Sequence, residues 1–162
     1  AIETRLYFYL YDNKDRTNCA TFCIDLLSGN ILRTYSGFMG DLYRFGNKIG
    51  VASNKTASVL DTLTHEINTY DLTKHLKADN LTIGWNSNVF TEDGLLYFVA
   101  DDHRQGSFIG IVDLEKDKLL WLHDVNDNKK TLKFSVRNIQ VYKNRLYATC
   151  VKDLLVYENE CI

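Results

Sequence analysis

Proline is absent from all 162 residues. That is unusual for a pattern so rich in turns, and nothing in the sequence explains it. Cysteine is scarce and poorly spaced for chemistry. Cys19, Cys23, Cys150 and Cys161 form no CxxC pair and have no histidine at metal-ligand spacing. Cys19 and Cys23 would share one face of a strand but stand too far apart along it to bridge. The pattern implies reduced structural thiols and no metal site. No apolar run approaches the ~18 residues that span a bilayer. The opening AIETRLYFYLYDNK has no basic stretch and no small-residue cleavage site, so it does not read as a signal peptide. Loss of an initiator Met ahead of Ala1 is the simpler expectation, and a cytoplasmic location goes with it. The sequons at Asn54 and Asn80 would matter only in a secreted protein.

Charge of one sign is also missing. The formal net charge is −2, with acidic and basic residues interspersed, which disfavours direct nucleic-acid binding and docking on an anionic membrane. No serine sits in a GxSxG elbow, and neither GxxxxGK[ST] nor GxGxxG occurs, so the phosphate cradles and the nucleophile elbow are excluded.

What is present is a repeat. Hydrophobic residues make up 45% and aromatics 12%, with ten Tyr and eight Phe, a composition that favours strands in a soluble globular protein. The phrase IVDLEKDKLLWLHDV (111–125) has relatives in CIDLLSGNILRTY (23–35) and LDTLTHEINTYDL (60–72). Aligned on Asp25, Asp61 and Asp113, each places an aliphatic residue six positions later: Ile31, Ile67 and Leu119. The intervening segment is a turn of hairpin length, best formed where Gly29 can adopt a positive φ. A second phrase precedes each Asp. GNKIGVAS (46–53), DGLLYFVA (93–100) and KNRLYATC (143–150) alternate as strands, and TRLYFYL (4–10) is a further copy. Leu6, Ile49, Leu96 and Leu146 then coincide, so successive repeats are 43, 47 and 50 residues apart. A short strand precedes three of the copies, in LYRF (42–45), NVFT (88–91) and IQVY (139–142).

Four antiparallel strands recurring at this period are the signature of a β-propeller blade. A single such sheet cannot bury two apolar faces, but stacking against neighbours can. The nearly continuous apolar LLYFVA fits a strand covered on both sides. The expected fold is all-β, a small propeller of about four blades, with repeats at 1–37, 38–75, 85–127 and 136–162 in a single domain spanning 1–162. The first copy lacks its inner strand and the last stops after LLVYE (154–158), so both are three-stranded. An open arc and a β-sandwich are the alternatives.

The phrase "apolar pair, Asp, turn, apolar pair, Trp" resembles the blades of pyrroloquinoline-quinone-type propellers, and the period resembles WD-type repeats. The resemblance implies that the Asp opens the turn between the third and fourth strands and that the Trp packs between blades. Only Trp121 carries that feature, its sister positions being Arg33 and Thr69. A ring of four blades is too narrow for a quinone, and no cofactor is expected.

The densest polar cluster is ADDHRQG (100–106). Asp101, Asp102 and His103 are consecutive and rarely converge on one point, so a solvated turn is expected rather than a catalytic or metal site. His65 reads as a turn residue, His75 as part of a short helical or irregular insertion, and His123 as half-exposed on an outer strand. No catalytic residue is assigned. Long loops on a rigid scaffold are where binding concentrates. The candidate partner-binding residues there are Phe38, Trp85, Asp101, Asp102, His103, Arg104, Asp124 and Phe134, aromatic and Arg anchors in an acidic rim. The expected function is a non-enzymatic protein-binding module, monomeric on its own. Its most specific form is an immunity protein that neutralises a basic toxin domain such as a nuclease. Glycan binding around Trp85, or membership of a larger propeller assembly, is the alternative.

Overall fold

A computed structural model describes residues 4–10, 19–76, 81–84, 88–102, 106–126, 135–143 and 145–158. The described residues form fifteen strands and no helix. The chain divides into two compact units, residues 1–42 and 43–162.

The first unit holds one three-stranded antiparallel sheet, in the order β1 (Arg5–Leu10), β2 (Ala20–Asp25), β3 (Ile31–Ser36). Thr21, Cys23 and Tyr35 lie on one face and are buried. Tyr7 joins them, its ring 6.5 Å from that of Tyr35. Burial, and then the neighbouring Cys23 thiol, push the Tyr7 hydroxyl up to about 12.

The second unit holds three sheets. One runs β4 (Tyr43–Phe45), β5 (Lys48–Ser53), β6 (Thr56–Asp61), β7 (Ile67–Asp71) in order. The next is built on β9 (Val89–Phe90), β10 (Leu95–Asp102), β11 (Gly106–Asp113) and β12 (Lys118–Asp124). The last is β13 (Val136–Tyr142), β14 (Arg145–Cys150), β15 (Leu154–Glu158). The four sheets follow the repeats read from the sequence, including the three-stranded first and last copies.

The third sheet is the centre of this unit because both of its faces are covered. Leu96, Phe98 and Ala100 of β10 join a cluster with Ala52, Val59 and Leu76 from the second sheet and the segment after it. Val99 and Ile109 join another with Ile139, Leu146 and Ala148 of the fourth sheet. This is the burial that LLYFVA implied. Two glycines make the packing possible. A Cβ on Gly110 would lie 2.2 Å from the Phe98 ring, and one on Gly50 would lie 2.4 Å from Phe90. Gly50 thus stands where the other repeats carry Tyr7, Tyr97 and Tyr147, because Phe90 occupies the tyrosine's space.

After β7 the chain makes one tight turn over Leu72–Leu76, and an extra strand lies at Thr82–Ile83. Leu76 N–H donates to the Leu72 carbonyl at 3.2 Å, and Leu72, Leu76 and Leu81 all turn into the core. Strand β8 (Thr82–Ile83) then pairs with β10 at Asp101 and Ala100. The same Ile83 forms a β-bridge to Asn54 of the second sheet. The insertion therefore ties two blades together through backbone hydrogen bonds, which its polar sequence did not announce.

Candidate interaction surfaces

The three repeat aspartates do one job. Asp25 Oδ1 accepts the Leu27 N–H at 2.9 Å, and Asp61 Oδ1 accepts those of Leu63 and Thr64 at 2.8 and 3.0 Å. Asp113 Oδ1 accepts the Lys116 N–H at 2.9 Å, while its Oδ2 receives Lys116 Nζ at 2.7 Å. Each carboxylate thus folds over the turn it opens. Donors of this kind favour the ionised form. The backbone N–H groups of Thr64 and Leu63 hold Asp61 below the usual carboxylate range, and the Lys116 ammonium and N–H do so for Asp113. Four residues after each Asp the chain turns left-handed, at Gly29 (φ 71), His65 (φ 65) and Asp117 (φ 51). Only the first copy keeps the residue that does this without strain. Asp117 is engaged further, accepting from Lys74 Nζ and standing 2.9 Å from His75 Nε2. Those donors, Lys74 first, lower its carboxyl.

The fourth repeat has an equivalent that sequence reading missed. Arg5 is the register partner of Asp25, Lys48 of Asp61 and Leu95 of Asp113. Arg145 pairs with Glu158 in the same way, with its guanidinium 2.7 Å from the carboxylate. Glu158 therefore occupies the aspartate position, one carbon longer and thus hidden from an alignment keyed to Asp.

Trp121 packs as the resemblance implied. Its ring stacks on His123 at 5.4 Å and meets the edge of Tyr157, from β15 of the next sheet, at 5.4 Å. Trp121 and His123 are two apart on β12, so they share a face. The comparison with Arg33 and Thr69 needs correction in one copy. In the first and third repeats an extra residue bulges the outer hairpin, so Arg33 opposes Cys23 and Trp121 opposes Ile111. The second repeat has no bulge; Thr69 opposes Ser58 and lies on the other face, while Asn68, opposite Val59, is the true counterpart of Trp121. A one-residue slip exchanges every side chain between faces, which alignment by count cannot detect.

The expected partner-binding residues separate. Phe38 is only 2% exposed, and its carbonyl accepts a hydrogen bond from Thr21; it closes the underside of its loop, correcting its place among surface anchors. Asp101 and Asp102 belong to β10 rather than to a loop, paired with Ser107 and Gly106. Asp101 Oδ1 takes the Ser107 hydroxyl at 2.7 Å, and Asp124, ending β12, accepts the Asn126 N–H at 2.8 Å. Trp85, His103, Arg104 and Phe134 lie outside the described residues. Cys19, Cys23 and Cys150 form no disulfide. Among the described residues no group of three or more His, Cys, Asp or Glu converges. No described helix is long and apolar enough to cross a membrane.

The geometry instead exposes two sheet faces. In the first sheet, Leu6, Ile24 and Ile31 form one cross-strand row and Phe8, Phe22 and Thr34 the next, followed by Leu10, Ala20 and Ser36. Phe8 and Phe22 stack at 5.6 Å. Leu6 is 44% exposed, Leu10 56% and Ile31 61%. Strand rise and spacing give this face roughly 300 Å². It bears no charge, and a continuous apolar patch of that kind marks an interaction site. The fourth sheet's open face is different in character. Its rows are Tyr142–Arg145–Glu158, Gln140–Tyr147–Val156 and Asn138–Thr149–Leu154. Tyr142, Lys143, Arg145 and Tyr147 line a shallow cleft of about 650 Å³ on it.

No protein-family model matches the chain, and no curated protein matches it by sequence. Solved structures do resemble it. The extracellular domain of a one component system from B. thetaiotaomicron matches 99% of this chain with a TM-score of 0.60 at 14% identity. Quinohemoprotein alcohol dehydrogenase from Comamonas testosteroni matches 93% with 0.56 at 13%. The β-propeller domain of the Trilobed protease from Pyrococcus furiosus, described as having an open velcro topology, matches 95% with 0.54 at 14%. The chain spans 22%, 28% and 50% of those structures respectively. At such identities the likeness concerns the fold, and the fold is that of β-propeller blades.

Proposed function

We propose that this chain is a non-enzymatic protein-binding module whose principal contact surface is the outer face of the first sheet. The observation that carries the reading is the uncharged, in-register apolar face of Leu6, Phe8, Leu10, Phe22, Ile24 and Ile31, left partly open to solvent. Water-exposed aliphatic and aromatic rows cost free energy unless something covers them. A partner's apolar surface of matching size would do so, with the exposed Leu26 and Leu27 of the adjoining turn at the rim.

The narrower reading is an immunity protein that inactivates a basic toxin domain. Asp101 and Asp124 support it as acidic groups at strand ends, although both already accept hydrogen bonds, which limits the charge they offer a partner. The test is cross-linking in the native host with the wild-type chain and with Ile31→Asp. The proposal expects a defined partner that the variant loses, at unchanged folding by circular dichroism. Identical cross-links from both chains would reject it. A captured partner that is basic, and whose activity the chain abolishes, would establish the narrower form.

A further inference from the structure

The outer side of β15 bears a different surface, independent of the first sheet and of whatever covers it. The hairpin joining β14 to β15 closes with the Cys150 N–H donating to the Asp153 carbonyl at 2.8 Å. In an antiparallel ladder the backbone groups alternate in direction. Asp153, Leu155 and Tyr157 therefore point their N–H and C=O toward β14, and Leu154, Val156 and Glu158 point theirs outward. Among the described residues no strand pairs with that side.

Native sheets usually block such an edge with a bulge, a proline or a charge in mid-strand. The outer strands β3 and β12 are bulged, and β7 is polar in mid-strand at Asn68 and Thr69. The middle of β15 has none of these. Its Leu154 and Val156 side chains are 59% and 47% exposed. Strand β1 also has no partner on one side among the described residues, but its flanks at 1–3 and 11–18 lie outside them.

The β15 edge is complementary to itself. When two copies run antiparallel about a two-fold axis through Leu155, Leu154 of each opposes Val156 of the other. Both residues direct their backbone groups outward, so these two pairs form four N–H···O=C bonds. The same register brings Lys152, in the hairpin turn, level with the second copy's Glu158. Shifting the axis by one residue to Val156 brings Lys152 level with another glutamate in the sequence, Glu160, but sets Leu154 against Glu158 and breaks the Leu154–Val156 match. Apolar matching thus favours the register about Leu155, in which Lys152 also meets Glu158. Glu158 would then lie between its own Arg145, already 2.7 Å away, and the second copy's Lys152.

We propose that β15 is a homotypic docking edge, through which two copies of this chain join their three-stranded fourth sheets into one six-stranded sheet by isologous β-augmentation. This departs from the monomer expected from the sequence.

The test is sedimentation equilibrium from micromolar to millimolar concentration on three variants alongside the wild type. Val156→Pro removes an outward N–H from each copy and leaves the internal ladder intact, a substitution edge strands tolerate. Losing two hydrogen bonds per dimer should weaken self-association by about tenfold or more. Lys152→Glu and Glu158→Lys each set like charges in opposition and should each weaken it by about fivefold. Mixed together, these two variants restore both opposite-charge pairs and should form a heterodimer near wild-type strength. Thermal melts check that each variant is folded. A wild type monomeric throughout the range, or a dimer indifferent to Val156→Pro, would overturn the proposal. So would a mixture no tighter than its components, and this readout holds even if the proline variant fails to fold.

Discussion

The first and third sheets begin from nearly the same strand. RLYFYL and LLYFVA place Leu6 and Leu96 at one repeat position and carry aromatic residues behind them, yet Leu96 is fully buried and Leu6 is 44% exposed. The third sheet has a packed neighbour on each face, so both phases of β10 contribute to a core. The first sheet buries Thr21, Cys23 and Tyr35 on one face and presents Leu6, Phe8 and Leu10 on the other. Continuous hydrophobicity along a strand therefore reports that both faces are meant to be covered. It does not report whether the cover lies within the chain.

The largest effects should separate these two sheets. Leu96→Ala should cost about 3 kcal/mol of unfolding free energy, a buried truncation with a cavity left behind. Leu6→Ala, the same change at the same repeat position, should cost about 1 kcal/mol or less. Urea denaturation of the two variants checks the pair, and equal losses would break the comparison. Gly110→Ala comes next. Its new Cβ meets the Phe98 ring at 2.2 Å, and the overpacking should cost about 2 kcal/mol, whereas Gly29→Ala meets nothing within 4 Å and suffers only from its positive φ.

The blade pattern was legible because it is local. The spacing from Asp to aliphatic residue and the alternating strand before it are set by a hairpin and its turn, which involve neighbours in sequence. Asp25, Asp61 and Asp113 could be read as turn openers for the same reason. What was not legible depended on distant chain. The bulge that the first and third outer hairpins carry and the second lacks, the Phe90 ring that excludes a side chain at position 50, and the burial of Phe38 all depend on packing. Asp101 and Asp102 looked like loop because they are polar, but β11 pairs with both, and β8 pairs with Asp101 from the other side. The face of Leu6, Phe8 and Leu10 was not legible as a surface, because apolar residues in both phases of a strand read the same whether their cover lies inside or outside the chain.

Acid sharpens the contrast between turns. Asp61 and Asp113 have folded-state pKa values lowered by their donors. Their contribution to stability is present above the unfolded carboxylate pKa of about 3.9 and is lost as pH falls through the lowered folded values. The melting temperature should therefore drop below about pH 4, and Asp113→Asn should flatten part of that drop while lowering stability at neutral pH. A variant whose acid limb coincides with wild type would contradict the role given to Asp113.

The smallest expected effect is a gain. His65→Gly relieves a left-handed φ of 65 and should stabilise by about 0.5–1 kcal/mol in a thermal or urea melt. Asp117→Gly, at the same turn position, should instead destabilise, because it removes the acceptor shared by Lys74 and His75.

The central claim is that one face of the first sheet is open in the chain by itself and covered in its complex. Hydroxyl-radical footprinting measures side-chain accessibility residue by residue and tests it most directly. The account predicts ready modification of Leu6, Leu10 and Ile31 in the isolated chain, little at Leu96 and Phe98, and protection of the first three when the partner is added. Protection of Leu6, Leu10 and Ile31 equal to that of Leu96 in the isolated, monomeric chain would contradict it.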